Sequence, residues 1–141
     1  MDPVGTKVWR NEQGVIHRLD EYAVEYINGT KAWCLNGSYH RLDGPAIEAY
    51  DGSKEWWVNG LRHREDGPAV EWINGHKEWW LNNRLHRLDG PAVVHADGDS
   101  LYYVDNKHYS RRNFPIGVIQ FLLNCNEKTA QLILDVLNDT V

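Results

Sequence analysis

The sequence predicts a mainly β protein: an elongated antiparallel sheet of stacked β-hairpins, with an α-helical cap at its C-terminal end. Three observations carry that expectation. His17, His40, His63 and His86 stand 23 residues apart, each opening the same run, His-Arg-x-Asp, and a period of roughly 20–50 residues marks stacked repeats. Within each unit an Asn-Gly or Asp-Gly dipeptide (residues 28–29, 51–52, 74–75 and 97–98) separates two short stretches rich in β-branched and aromatic residues, the pattern of a hairpin. After residue 110 that pattern stops, and apolar residues recur at helical spacing instead.

The elements follow in order. Residues 1–16 are a partial repeat: Gly5, Lys7, Trp9 and Asn11 match the second half of a unit, with one residue inserted before His17. Residues 17–109 are four full units, from HRLDEYAVEYINGTKAWCLNGSY to HRLDGPAVVHADGDSLYYVDNKH. In each, the first turn is expected to be a two-residue type I′ loop, in which both central residues take φ > 0. A second turn follows at Asn36-Gly37, Asn59-Gly60, Asn82-Asn83 and Asp105-Asn106. Pro45, Pro68 and Pro91 fall where a strand begins and no ladder N–H is needed.

Residues 110–141 open with Ser110-Arg111-Arg112-Asn113-Phe114-Pro115, which breaks the strand pattern. Residues 116–124 then read as a short helix with Pro115 near its first turn. Asn126 caps a second helix through Leu137, whose Ala130, Ile133, Leu134 and Leu137 form one apolar stripe. An open repeat stack exposes its last rung, so this helical pair is expected to cover it. The alternative use of the pair is a dimerisation surface, which would make the protein a homo-oligomer.

A two-residue first turn sets the strand register. Val70 then faces Trp79 and Trp72 faces Lys77. One side of the sheet collects Val24, Ile47, Val70 and Val93 with Trp33, Trp56, Trp79 and Tyr102, and with Leu35, Val58, Leu81 and Val104 it is the expected core. The other side collects Glu48, Glu55, Glu71 and Glu78 with Trp57, Trp80 and Tyr103. Glu opposite Glu is unfavourable, so that side is expected to be wet. One residue more or less in the turn would exchange the two sides.

The run Asp51-Gly52-x-x-x-Trp56-x-x-Asn59-Gly60-x-x-His63, at its 23-residue period, resembles the MORN repeat, a hairpin unit stacked into an elongated sheet. The usual motif has Tyr-x-Gly in the middle and Gly after the His. Here Trp stands for the Tyr, and Arg18, Arg41, Arg64 and Arg87 stand for that Gly. With its H-R-x-D-G-P-A signature, the variant is similar to repeats of large bacteriophage and giant-virus proteins. The resemblance covers the repeats alone and implies the fold. MORN proteins include lipid-associated scaffolds, protein-docking modules and regulatory extensions of enzymes, so family likeness does not choose a function. The virus-like signature implies a phage-encoded protein with an anti-defence role, acting in the host cytoplasm.

Composition narrows the function classes. The 141 residues make one domain. Fifteen Lys and Arg against twenty Asp and Glu leave a net charge of −5. That disfavours a binder of duplex nucleic acid, which carries a basic surplus, and gives little attraction to anionic lipid. No apolar run is long enough for a membrane span. Two cysteines, Cys34 and Cys125, and no apolar leader in MDPVGTKVWRNEQG point to a reduced cytoplasmic setting.

No residue set reads as catalytic, so neither an enzyme nor a cofactor is expected. The His row invites a metal, but equivalent side chains two strands apart sit about 10 Å from one another, and zinc needs its nitrogens about 2 Å from one ion. His17, His40, His63 and His86, with Arg41, Arg64 and Arg87 and with Asp43, Asp66 and Asp89, are expected to form a structural ladder instead. In it each Asp accepts turn N–H groups, each Arg pairs with a carboxylate and each His donates to a backbone carbonyl. Ser53 is no nucleophile candidate, since its place holds Thr30, His76 and Asp99 in the other units. No G-x-S-x-G, H-E-x-x-H or Walker loop occurs.

The expected recognition surface is the row of Trp57, Trp80 and Tyr103 beside Arg62 and Arg84. It would suit a host protein or a small nucleotide-like ligand stacking on the rings; the alternative places those rings in a second packed layer. The function expected is a non-enzymatic binding protein that captures or blocks a host protein or ligand. A nucleotide-sequestering protein and a structural scaffold or assembly module are the other readings.

Overall fold

In the computed structural model, which describes residues 4–114 and Leu132, each full repeat makes two hairpins rather than one. The strands flanking the Asn-Gly or Asp-Gly turn join a ten-stranded antiparallel sheet that runs in chain order from Lys7–Val8 to Lys107–Tyr109. Strands on either side of the second turn form separate ribbons: Cys34–Leu35 with Ser38–Tyr39, Trp57–Val58 with Leu61–Arg62, and Trp80–Leu81 with Arg84–Leu85. Between sheet and ribbon the ladder breaks at Trp33, Trp56 and Trp79, whose N–H groups bond the carbonyls of Ala46, Ala69 and Ala92 in the next unit. In the last unit Ser100–Val104 runs unbroken from one hairpin into the other.

Residues 4–114 contain no helix. The helical pair expected within residues 110–141, and the dimerisation surface it might offer instead, fall on residues 115–141, which apart from Leu132 lie outside the described residues. Among the described residues, Phe114 is what covers the last rung. It is buried, with its ring centroid 4.6 Å from that of Tyr102 and 6.3 Å from that of Tyr109.

The two turns of a unit differ in kind. At the second turn both central residues have φ > 0, for example 50° and 82° at Asn36 and Gly37, which is the type I′ geometry. At the first turn only the glycine does: Gly29, Gly52, Gly75 and Gly98 lie at 89° to 94°. There the Trp72 N–H bonds the His76 carbonyl and the Gly75 N–H bonds the Trp72 carbonyl, so Ile73, Asn74 and Gly75 form a three-residue loop with Gly in the left-handed region. The expected two-residue loop fails because Asn74 uses its side chain differently. Its Oδ1 accepts the His76 N–H at 3.0 Å, an Asx turn compatible with an ordinary φ.

That one extra residue moves the register. Val70 faces Glu78 and Glu55 rather than Trp79, and Glu71 faces Lys77 and Lys54. One side of the sheet is therefore a ladder of alternating charge, with Lys31, Glu48, Lys54, Glu71 and Lys77 on successive strands. The expected row of Glu against Glu does not form there. On the other side the order is Ile47, Glu55, Val70, Glu78, Val93. The division into a Trp79 core face and a Trp80 wet face is corrected accordingly: Trp33, Trp56 and Trp79, like Trp57, Trp80 and Tyr103, are all half-buried.

The fully buried centre is made of small side chains. Ala23, Ala46, Ala69 and Ala92 have no exposed surface, and Val24, Val70 and Val93 lie beside them. A single sheet encloses little volume, so the Ala that ends the G-P-A run leaves no space for a longer side chain without overpacking.

The register is open to a direct test. Lys54→Glu would set three carboxylates side by side with Glu48 and Glu71. It is expected to lower the unfolding free energy by about 1–2 kcal/mol, since like charges directly opposite are unfavourable. Had the first turn held two residues, Lys54 would face Ala49 and the change would cost little. Urea titration of the two proteins distinguishes the registers.

Candidate binding grooves

Arg64 shows how a unit is held. Its Cζ lies 3.9 Å from the centre of the Trp56 ring. Its Nε donates to Asp66 at 2.8 Å, and its Nη1 donates to the Pro68 carbonyl at 3.1 Å and to Glu71 at 3.0 Å. The backbone of Gly67 passes so close that a Cβ there would sit 2.9 Å from Cζ. This glycine serves the guanidinium, not a turn. Arg41 repeats the arrangement over Trp33 at 4.0 Å with Asp43, Pro45 and Glu48. Arg87 repeats it over Trp79 at 4.0 Å with Asp89 and Pro91, while Val94 takes the place of the second carboxylate.

The first unit is the exception that exposes the cause. Glu21 stands where the others have Gly, and Tyr22 where they have Pro. Arg18 pairs with Glu21, reaches the Tyr22 carbonyl at 3.4 Å, and stands 4.7 Å from the Trp9 ring. With a side chain at the glycine position, the close stack is lost.

The His side chains tie each unit to the next. His63 Nδ1 accepts the Asn82 N–H at 3.2 Å and lies 3.0 Å from Asn82 Oδ1. His17 with Asn36, His40 with Asn59 and His86 with Asp105 match it. The expected partner was a backbone carbonyl. The ring engages the second turn instead, because the first residue of a type I′ turn has an N–H outside the ladder that needs an acceptor. The Asp carboxylates likewise take the Arg Nε–H. Beside these contacts, the Arg64 N–H bonds the Trp80 carbonyl and the Gly60 N–H bonds the Tyr39 carbonyl.

Consecutive His-Arg-x-Asp loops leave open grooves between them. Three such grooves, of about 310, 800 and 530 Å³ in chain order, are lined by Trp33 and Leu35, by Trp56 and Val58, and by Trp79 and Leu81. Their rims carry Leu19 and Leu42, 76% and 79% exposed, with Glu65 in the corresponding place of the third unit. Sequence reasoning took these loops for framework. The signal it passed over was a Leu in the x position of His-Arg-x-Asp, an apolar side chain between charged ones.

The aromatic row singled out in the sequence is brought together in part. Arg62 Cζ lies 4.9 Å from the Trp57 ring centre and 5.5 Å from that of Trp80. Trp57 and Trp80 each donate Nε1–H, to Glu55 at 3.1 Å and to Glu78 at 2.8 Å. Tyr39 packs against Trp57 with centroids 5.6 Å apart. Tyr103 packs on His108, and Arg84 is exposed opposite Leu81 in its ribbon. Ser53 is buried, and its Oγ accepts the Ile73 N–H at 3.0 Å, linking successive first turns. Burial pushes the Cys34 thiol up to about 11. Among the described residues, no cluster of three or more His, Cys, Asp or Glu could hold a metal, and no helix is long and apolar enough to cross a membrane.

Two outcomes follow from the Arg arrangement. Gly67→Ala forces Arg64 off its place and is expected to cost about 1–3 kcal/mol of stability, by urea titration. The hydrogen bonds from Arg41 and Arg64 hold the Asp43 and Asp66 carboxyls below their ordinary value of 3.8. The stability they contribute is complete above that value and is lost as pH falls through the lower folded value. Melting temperature should therefore drop on acidification below about 3.8, and Asp43→Asn/Asp66→Asn should flatten that part of the profile. Comparison of the chain with protein-family models, with curated proteins and with solved structures finds no match.

Proposed function

We propose that the protein is a non-enzymatic binding protein that captures a protein partner along the groove face of its repeat stack. The observation that carries this reading is the row of like grooves, each pairing a Trp with an aliphatic residue beside carboxylates, with the exposed Leu42 on the rim of the first two. Their walls are preorganised by the Arg contacts, which reduces the ordering cost of association. The ladder His, Arg and Asp side chains are engaged with the frame, which favours binding over catalysis. A MORN-like reading of the repeats, which includes protein-docking modules, agrees with this. The nucleotide reading is weaker, because Arg62 and Tyr39 already lie against the rings on which a base would stack.

A photo-crosslinking residue at position 42, compared with one at position 50, exposed in a first turn at the far end of the strands from the grooves, tests the proposal in a lysate of the cell where the protein acts. Adducts to a discrete protein are expected from position 42 and not from 50. Equal labelling from both positions, or none from 42, would remove the groove face as the recognition surface.

A further inference from the structure

Resting on that reading, we infer that the segment captured by the groove face is a proline-rich, basic stretch in the polyproline II conformation, running along the stack and placing every third residue in a groove. The argument is one of spacing and charge. Successive grooves are separated by two strands of the sheet, which is about 9.6 Å at ordinary strand spacing. A polyproline II helix has three residues per turn and rises about 9.3 Å per turn, so its like faces keep step with the grooves. An extended β-strand presents like faces about every 6.7 Å and an α-helix about every 5.4 Å. Neither matches.

The chemistry agrees with the spacing. Trp56 with Val58, and Trp79 with Leu81, give each groove an aromatic and an aliphatic surface, which suits the flat apolar face of a proline ring. The carboxylates outnumber the cations around the middle groove. Arg41 and Arg64 are paired with Asp43, Glu48, Asp66 and Glu71, and Glu65 stands beside them 85% exposed. Asp43 and Asp66 keep 84% of their side-chain surface open to a ligand. A Lys or Arg between prolines finds a carboxylate there, whereas a phosphate backbone would be repelled.

Titration of the intact protein with synthetic peptides, read by tryptophan fluorescence, tests the inference. A peptide of Pro-Pro-Lys triplets long enough to cover the grooves is expected to bind roughly tenfold tighter than a Gly-Gly-Lys peptide of the same length and charge, because its conformation is already formed. Leu42→Arg, at an exposed rim position, should weaken the Pro-Pro-Lys peptide by a similar factor while leaving the melting temperature unchanged. Equal affinity for the Pro and Gly peptides, full binding by the Leu42→Arg protein, or tighter binding of oligo-dT than of either peptide would each overturn the inference. Crosslinking from position 42 without a preference for the Pro peptide would overturn it while leaving protein capture standing.

Discussion

The contact between each arginine guanidinium and the tryptophan eight residues before it is the interaction on which the repeat stack depends. A single-layer sheet with alanines at its centre has little apolar surface to bury, so the ends of each unit need another fastening. Arg41, Arg64 and Arg87 provide it from side chains that remain only 22% to 24% exposed. Each joins a ring in the preceding unit, the carboxylate two residues on and a carbonyl four residues on. A planar cation can stack and donate in its plane at once, which a lysine ammonium cannot. The glycine and the alanine of the G-P-A run are then required by what lies against them, the one by the guanidinium and the other by the packed centre.

The same contacts shape the surface. By drawing the His-Arg-x-Asp loops down onto a Trp, they leave Leu42 and Glu65 at the surface and an open groove between neighbouring loops. The His–turn contacts repeat at the same period and keep the units in step. Variation within the chain follows this logic: where Glu21 replaces the glycine, Arg18 stands away from Trp9, and the groove beside it is the smallest of the three, at about 310 Å³. A framework that repeats every two strands thereby presents a surface with the same repeat, which suits a ligand that is itself periodic.

Much of this was legible in the sequence. The 23-residue period, the strand-rich stretches and the places of the second turns at Asn36-Gly37 and its equivalents could all be read directly; that the positive-φ type I′ geometry sits at these turns and not at the first ones could not. The first turn could not. Asn-Gly serves a two-residue and a three-residue loop alike, and only the Asx bond from Asn74 to the His76 N–H decides between them. That residue of difference moved Val70 from Trp79 to Glu78 and turned an expected Glu–Glu row into a Lys–Glu ladder. The alternation of Lys31, Glu48, Lys54 and Glu71 was a readable clue, since like charges would otherwise face one another. The grooves were hidden for a different reason: they lie between loops, and nothing in a linear pattern shows that Trp56 and Arg64 meet.

A double-mutant cycle between Arg64 and Trp56 tests the central claim most directly. Arg64→Gln, Trp56→Leu and the double variant would be compared with the parent by equilibrium unfolding in urea. A coupling energy of about 1–2 kcal/mol is expected, the size of a partly desolvated cation–π contact. Losses that simply add, to within about 0.3–0.5 kcal/mol, would contradict the account and place the fastening of the units elsewhere.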